Sequence, residues 1–167
     1  MARVFLSLGS NVGDRRENLR RAINRLRENV AIDALSSVYD TAPVGLLDQP
    51  RFLNLACAGE TKLKAHELLI FAKGIERQLG RLPTVPYGPR VIDIDILLYD
   101  GVVVHLDDLT IPHPRLRERA FVLAPLAEIA PDAVDPTDGR TIAELWRALP
   151  AQDVRPLAED EGRLADV

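Results

Sequence analysis

Asp93 and Asp95 are the residues of this sequence best placed to do chemistry. They lie in the run Gly88-Pro89-Arg90-Val91-Ile92-Asp93-Ile94-Asp95-Ile96-Leu97-Leu98-Tyr99. The run opens as a Gly-Pro turn and continues as a β-branched stretch with the pattern of a buried strand. Side chains alternate along a strand, so Asp93, Asp95 and Leu97 would share one face and Ile92, Ile94, Ile96 and Leu98 the other. Carboxylates at i and i+2 then stand roughly 6–7 Å apart. Two bare carboxylates on an apolar strand repel each other and are poorly hydrated, so a cation belongs between them. That cation is either an arginine, with Arg90 close in sequence, or a hard divalent ion. Mg²⁺ suits the pattern, because it takes one or two protein carboxylates together with substrate phosphates and waters. A solvated surface Asp-x-Asp is the plainer alternative, and the flanking isoleucines argue against it.

Other stretches could bind without reacting. Residues 41–51, Thr-Ala-Pro-Val-Gly-Leu-Leu-Asp-Gln-Pro-Arg, form a connection long enough to be a functional loop. Asn54 interrupts an apolar strand, where its carboxamide must find partners. It could read the amide-like edge of a flat heterocycle, or simply bond across to a neighbouring strand. Gly9-Ser10-Asn11-Val12-Gly13 has neither the Gly-Lys-Ser/Thr ending of a P-loop nor a dinucleotide fingerprint, and reads as a strand-to-helix turn. Cys57 sits in a core-strand pattern, and no Ser/His/Asp set is evident for covalent catalysis.

These residues need a scaffold. At 167 residues, 47% apolar and 28% charged, the chain fits one soluble domain, taken as residues 1–150 with an acidic, loosely held tail at 151–167. A single cysteine fits a reducing cytoplasm, and no signal pattern or membrane-length apolar run is visible. A net charge of −4 gives no basic footprint for nucleic acid. Strands are expected at 3–8, 32–40, 52–61 and 92–99, with a hairpin turn at Asp100-Gly101 leading into 102–104. Asp14 should cap a first helix whose buried stripe is Leu19, Ala22, Ile23, Leu26 and Val30, with its arginines forming a solvated side. A second helix spans 65–79, with Leu68, Ala72, Ile75 and Leu79 on its inner face and Gly80 as its C-cap. A short helix entered through Pro125 and one capped by Thr141 and Glu144, carrying Ile142, Leu145, Trp146 and Leu149, complete the chain. The order β-α-β-β-α-β predicts an α+β, ferredoxin-like antiparallel sheet with two helices on one face, an added hairpin and C-terminal helices.

The sequence resembles the 6-hydroxymethyl-7,8-dihydropterin pyrophosphokinase family. The resemblance rests on the Gly88 to Leu97 run, with Leu8-Gly9-Ser10-Asn11, Tyr39-Asp40-Thr41-Ala42-Pro43 and Asp48-Gln49-Pro50 before it. Phe52-Leu53-Asn54, Ile111-Pro112-His113-Pro114 and Arg119-Ala120-Phe121 follow in family order and spacing, across roughly residues 4–131. It implies a monomeric enzyme that uses ATP and two Mg²⁺ ions to move diphosphate onto the pterin hydroxymethyl oxygen, releasing AMP, in folate biosynthesis. By the same resemblance Asp93 and Asp95 would hold the metals, and with Arg81 and Arg90 would be the catalytic set. The reduced pterin would stack on Phe121, near Phe52, with Asn54 and the backbone around Thr41, Ala42 and Val44 reading its edge. ATP would meet Glu76, Arg81, Arg90, Thr110, His113 and Arg119. Residues 82–87 depart from the family, with Tyr87 and two prolines where relatives carry more basic residues and a tryptophan. Residues 42–51 and 81–87 are expected to close over the cleft when ligands bind.

Two other classes share the Asp pair. A metal-dependent phosphohydrolase would turn over ATP without a pterin. A non-catalytic ferredoxin-like sensor would keep its ligand response after loss of both aspartates.

Overall fold

The computed structural model describes residues 1–157 and Leu164. The order is β1 (Ala2–Ser10), α1 (Arg15–Leu26), β2 (Val30–Leu35), β3 (Tyr39–Thr41), β4 (Phe52–Thr61) and α2 (Ala65–Gln78). It continues with β5 (Asp93–Tyr99), β6 (Val104–Leu106), β7 (Leu109–Ile111), α3 (Ala120–Ile129), α4 (Ile142–Ala148) and β8 (Val154–Pro156). The main sheet runs β5-β1-β4-β3-β8, with β2 also on β4, and every pairing is antiparallel. It is a mixed α/β fold built on one antiparallel sheet. No helix among the described residues is long and apolar enough to cross a membrane.

Alternation decides which face each strand residue serves. Val4, Leu6 and Leu8 of β1, Leu55 and Cys57 of β4, and Ile94 and Ile96 of β5 point to one face. Both long helices cover it: α1 buries Leu19, Ala22, Ile23 and Leu26, and α2 buries Leu68, Ala72 and Ile75. Each large side chain buried this way contributes about 1.5–3 kcal/mol relative to exposure. Asp14 caps α1 as expected, its carboxylate accepting from Glu17 N at 3.1 Å. The opposite face carries α3 and α4, which pack Val122, Leu123, Leu126, Ile142 and Leu145 over Ala56 and Leu97.

Several elements differ from the sequence reading. The strand expected at 32–40 is two strands, broken where the Ser36 hydroxyl replaces a main-chain group and accepts from Ala56 N at 2.9 Å. A bulge in the β1–β5 pairing pairs Phe5 with Leu98 but Leu6 with Ile96. That shift turns Leu98 away from Ile94 and Ile96 and into the α3–α4 cluster beside Leu97. Asp100 and Gly101 do make a tight turn (φ 52° and 66°), yet Val102 and Val103 stay unpaired and β6 pairs with β7 in a separate ribbon. Pro125 lies inside α3 rather than at its start, and Trp146 is an exposed residue of α4. The tail expected to be loose is held over 152–157: β8 pairs with β3, and Leu157 N donates to Val38 O at 3.1 Å. The rest of that expectation falls on residues 158–163 and 165–167, which lie outside the described residues.

Candidate functional site

Asp93 and Asp95 open β5, the edge strand of the main sheet, paired to Gly9 and Ser7 of β1, so the sheet edge presents them beside the C-terminal end of α2. Glu76 of α2 is buried at 6% exposure and docks on this strand by accepting from Ile94 N at 2.8 Å. Arg81, just beyond α2, bridges two carboxylates through one nitrogen: its Nη1 is 2.6 Å from Glu76 Oε2 and 2.8 Å from Asp93 Oδ1. Arg90 takes the other oxygen, with Nη1 2.9 Å from Asp93 Oδ2. Both oxygens of Asp93 are therefore engaged by guanidinium groups, so arginine is the cation at this carboxylate.

Asp95 is different. Among the described residues no group donates a hydrogen bond to it, and burial followed by the repulsion of Asp93 pushes its pKa up to about 7. Arg119 and Arg90 oppose that shift from a distance. Glu76 is also pushed upward, mainly by burial, while the Ile94 amide holds it back. Arg90 Nε is buried with no acceptor among the described residues. Three crowded carboxylates and an idle guanidinium donor form a site short of one mobile cation and one anion.

The cation would enter from a cleft of about 430 Å³ bordered by Glu76, Arg81, Asp93, Asp95, Thr110 and His113. His113 bonds its main-chain N–H to Leu97 O at 3.1 Å. Burial, then the field of Arg119, pushes its pKa down to about 4 and leaves the ring neutral. Among the described residues no three or more His, Cys, Asp or Glu gather to hold a metal unaided. The residues nevertheless fit Mg²⁺ brought in by a phosphate ester, which needs few protein ligands and finds an unpaired carboxylate in Asp95.

A second, narrower cavity of about 80 Å³ lies on the other side of Asp93, against Gly9, Thr41, Ala42, Val44, Phe52, Asn54, Arg90, Arg119 and Phe121. The six residues expected at a pterin are thus together in one slot, with Tyr87 across it. Asn54 Nδ2 donates to Thr41 Oγ1 at 2.7 Å, so part of its carboxamide is spent between strands and the rest lines the slot. Arg119 lies 5.3 Å from the Phe121 ring centroid at the start of α3, a cation–π contact that fixes both. Thr110 and His113 line the cleft and not the slot, whereas Arg90 and Arg119 line the slot.

Sequence reasoning missed three contributors. Gly9 is required by close approach, since a Cβ there would lie 2.4 Å from Asn54 Oδ1. Asn11 and Gln49 join the loops around the slot. A glycine ending an otherwise apolar strand was the available signal for the first; the carboxamides carry none before their partners are known.

The model of the family described as 7,8-dihydro-6-hydroxymethylpterin-pyrophosphokinase (HPPK) matches residues 5–131. The chain is 47% identical over 146 residues to a 2-amino-4-hydroxy-6-hydroxymethyldihydropteridine pyrophosphokinase of Methylorubrum extorquens, covering 86% of this chain and 91% of that protein. A protein of the same name from Bacillus subtilis is 47% identical over 75% of this chain and 77% of its own length. A mitochondrial folate synthesis bifunctional protein of Arabidopsis thaliana is 50% identical over 87% of this chain, which spans only 26% of that longer protein. A crystal structure of Plasmodium falciparum HPPK-DHPS shares the fold, with TM-score 0.71 and 16% identity over 87% of this chain and 45% of that one. By sequence over most of its length, this chain belongs to the 7,8-dihydro-6-hydroxymethylpterin-pyrophosphokinase family.

Proposed function

We propose that this member of the pyrophosphokinase family transfers the β,γ-diphosphate of ATP to the hydroxymethyl oxygen of 6-hydroxymethyl-7,8-dihydropterin, releasing AMP, as a step in folate synthesis. The observation that carries the reading is Asp95, a half-buried carboxylate without a hydrogen-bond donor that borders the polar cleft, two residues from Asp93, which borders both the cleft and the aromatic slot. Mg²⁺, as two ions arriving with ATP, would be held by Asp95 and, once Arg81 and Arg90 release it for the phosphates, by Asp93, and would supply charge neutralisation for the diphosphate oxygens.

The protein's own groups do the positioning. ATP fits the larger cleft, where Arg81, Thr110 and His113 can face its phosphates. Arg90 lines the slot and bonds Asp93, which borders both spaces, and its idle Nε is a ready donor to a transferring phosphate. The pterin ring fits the slot against Phe121 and Phe52, with the free side of Asn54 and the backbone of residues 41–44 at its edge. Its hydroxymethyl oxygen then points toward Asp93 and Asp95, in line for attack on the β-phosphorus. The bond from that phosphorus to the oxygen bridging to the α-phosphorus breaks, AMP leaves with the electron pair, and the hydroxymethyl proton is released to solvent. Displacement of this kind is mostly alignment and charge neutralisation, so no covalent nucleophile is needed. Cys57 offers none, since burial pushes its thiol pKa up to about 12.

The strand order, with both long helices on one sheet face, supports a ferredoxin-like scaffold, and the pairing of β8 with β3 carries the catalytic unit past residue 150.

Incubation with ATP, Mg²⁺ and 6-hydroxymethyl-7,8-dihydropterin should give AMP and the pterin diphosphate in equal amounts, with neither ATP consumption nor AMP when the pterin is omitted. Steady ATP turnover without the pterin would replace this reading with a phosphohydrolase. Ligand binding without turnover, unchanged in Asp93→Ala and Asp95→Ala, would replace it with a sensor.

A further inference from the structure

The start of α3 puts Arg119 and Phe121 on the wall of the slot, yet nothing local caps it. Arg119 stands at the N-cap in extended conformation (φ −113°, ψ 106°), and its side chain makes no capping hydrogen bond. Its carbonyl accepts from Val122 N at 3.1 Å and Leu123 N at 2.9 Å. The N–H of Ala120, the first helical residue, must find its acceptor elsewhere. That acceptor comes from 32 residues away: Gln152 Oε1 accepts from Ala120 N at 3.0 Å. Gln152 Nε2 donates to Glu118 O at 2.9 Å. One carboxamide thus bonds the peptide groups on both sides of Arg119, as a neighbouring strand would bond an extended residue. Glu118 ends the short 3₁₀ turn Leu116–Glu118, so this clasp fixes where the turn stops and the helix begins.

The segment bearing Gln152 is itself held to another part of the slot. Asp153 O accepts from Ala42 N at 3.1 Å, and Ala42 lines the slot. The Asp153 carboxylate takes two bonds from Arg51, 2.7 Å from Nη1 and 3.0 Å from Nη2, while Arg51 Nε bonds the Asp40 carboxylate of β3. β8 then pairs with β3 along Tyr39, Asp40 and Thr41. Gln152 and Asp153 therefore join Ala42 to Arg119 and Phe121. These three slot residues also border a further cavity of about 430 Å³, with Gln152 and Asp153 in its lining. Phe121 is half-buried against the α3–α4 cluster, and with open space on two sides the backbone at its base decides where the ring stands. Gln152 is an exposed residue, so replacing it leaves no void in the core.

We propose that Gln152 is a positioning residue of the acceptor slot: by clasping the peptides on either side of Arg119 it sets Arg119 and the Phe121 ring against Ala42 at the spacing that admits a flat ring. The proposal rests on the acceptor reading above. It gives the C-terminal segment a part in acceptor selection and none in holding the nucleotide, since residues 152–154 do not border the cleft.

The test uses the full chain and two variants. Gln152→Met is similar in length and cannot make either bond. Gln152→Glu keeps an acceptor for Ala120 N, with a charge suited to a helix N-terminus, but cannot donate to Glu118 O. In the ligand-free protein, hydrogen exchange at the Ala120 amide should quicken by about tenfold in Gln152→Met and stay near the unmodified rate in Gln152→Glu, with the amides of β4 unchanged in both. Acceptor affinity is then read with 6-hydroxymethyl-7,8-dihydropterin, Mg²⁺ and a saturating ATP analogue whose α,β-bridging oxygen is methylene, which blocks transfer. Gln152→Met should weaken the acceptor about tenfold, the scale of one or two net hydrogen bonds, and leave the analogue within about twofold. Gln152→Glu should restore most of the acceptor affinity. In a Phe121→Leu background Gln152→Met should cost the acceptor less than about threefold, because the ring it positions is gone. Unchanged exchange at Ala120, acceptor affinity unmoved by Gln152→Met, equal loss of both ligands, or a full loss that persists without Phe121 each overturn the proposal. An unmodified protein that binds the pterin but makes no pterin diphosphate counts against the proposed reaction alone; one that binds no pterin removes the acceptor reading and this proposal with it.

Discussion

The two cavities flanking Asp93 are built by opposite means. The slot is narrow and aromatic, and apart from Arg90 Nε its buried polar groups already have partners, such as Asn54 on Thr41. The cleft is several times larger, lined mainly by charged and polar side chains, and holds groups whose needs the protein leaves unmet, Asp95 above all. A pocket satisfied in itself selects by shape, since whatever enters must match walls that will not rearrange. A pocket with unbalanced charge selects by supplying what is missing, here a cation on a phosphate chain. The difference assigns specificity to the slot and most of the transition-state stabilisation to the cleft, and each assignment can be broken separately.

The largest effect is expected from Asp95→Asn. Removing this charge should slow transfer by about 10³-fold, in line with the loss of a strong electrostatic stabiliser in a closed site. Acceptor binding to the free protein should change little. The same change should stabilise the ligand-free protein. A carboxyl whose folded pKa is raised to about 7 binds its proton more tightly than in the unfolded chain, so above the ordinary carboxylate range its ionisation works against folding. The cost grows from the usual aspartate value up to about pH 7, and asparagine does not carry it. A melting temperature that rises by a few degrees at pH 7.5 but not at pH 3.5, while transfer collapses, is the expected pair of results. A fall in melting temperature at pH 7.5 would mean that Asp95 is structurally satisfied, and the contrast between the cavities would be lost.

Gly9→Ala tests the slot. An added methyl 2.4 Å from Asn54 Oδ1 and 3.7 Å from Phe52 Cδ1 must displace the carboxamide. Overpacking of this kind costs about 1–3 kcal/mol, which corresponds to roughly tenfold weaker acceptor binding if the strain is relieved by moving Asn54 out of place. Nucleotide affinity, read by equilibrium titration, should stay within about twofold. Equal loss for both ligands would show that the slot and the cleft are not separable at β1.

How much of this was legible in the sequence follows from how local each feature is. The bounds of β4, the cap of α1, the inner stripe of α2 and the presence of both aspartates on β5 depend on neighbours within a turn or two, and periodicity carried them. Placing Leu98 required the β1–β5 register, because a bulge depends on the partner strand. The hairpin at Asp100-Gly101 has the right turn residues and the wrong sequel, since β6 pairs instead with β7. Pro125 was read as a helix start, but Arg119, in extended conformation, already accepts from Val122 N and Leu123 N and begins the helix earlier. The candidate ligand residues came chiefly from the family resemblance. The engagement of Asp93 by two arginines, with Asp95 left bare, could not be read from an Asp-x-Asp spacing that treats them alike.

His113 gives the smallest effect and the finest distinction. Its ring belongs to the cleft, and burial and then Arg119 hold its pKa near 4, against the pull of Asp93. The sign is that of a base with a depressed folded value. Between its ordinary value of about 6.5 and about 4 the unfolded chain takes up a proton that the folded chain refuses, so acidification through this window destabilises the protein. His113→Asn, which has no such titration, should lose that part of the pH dependence, read as melting temperature at pH 7 and pH 4.5. Phosphates entering the cleft would add negative charge beside the ring and screen it from Arg119, raising its pKa. Nucleotide binding at pH 5 should therefore take up a substantial fraction of a proton, measurable by calorimetry in buffers of different ionisation enthalpy, whereas acceptor binding should take up little. Proton uptake with the pterin instead of the nucleotide would put His113 on the slot side, and the division of labour drawn across Asp93 would have to be moved.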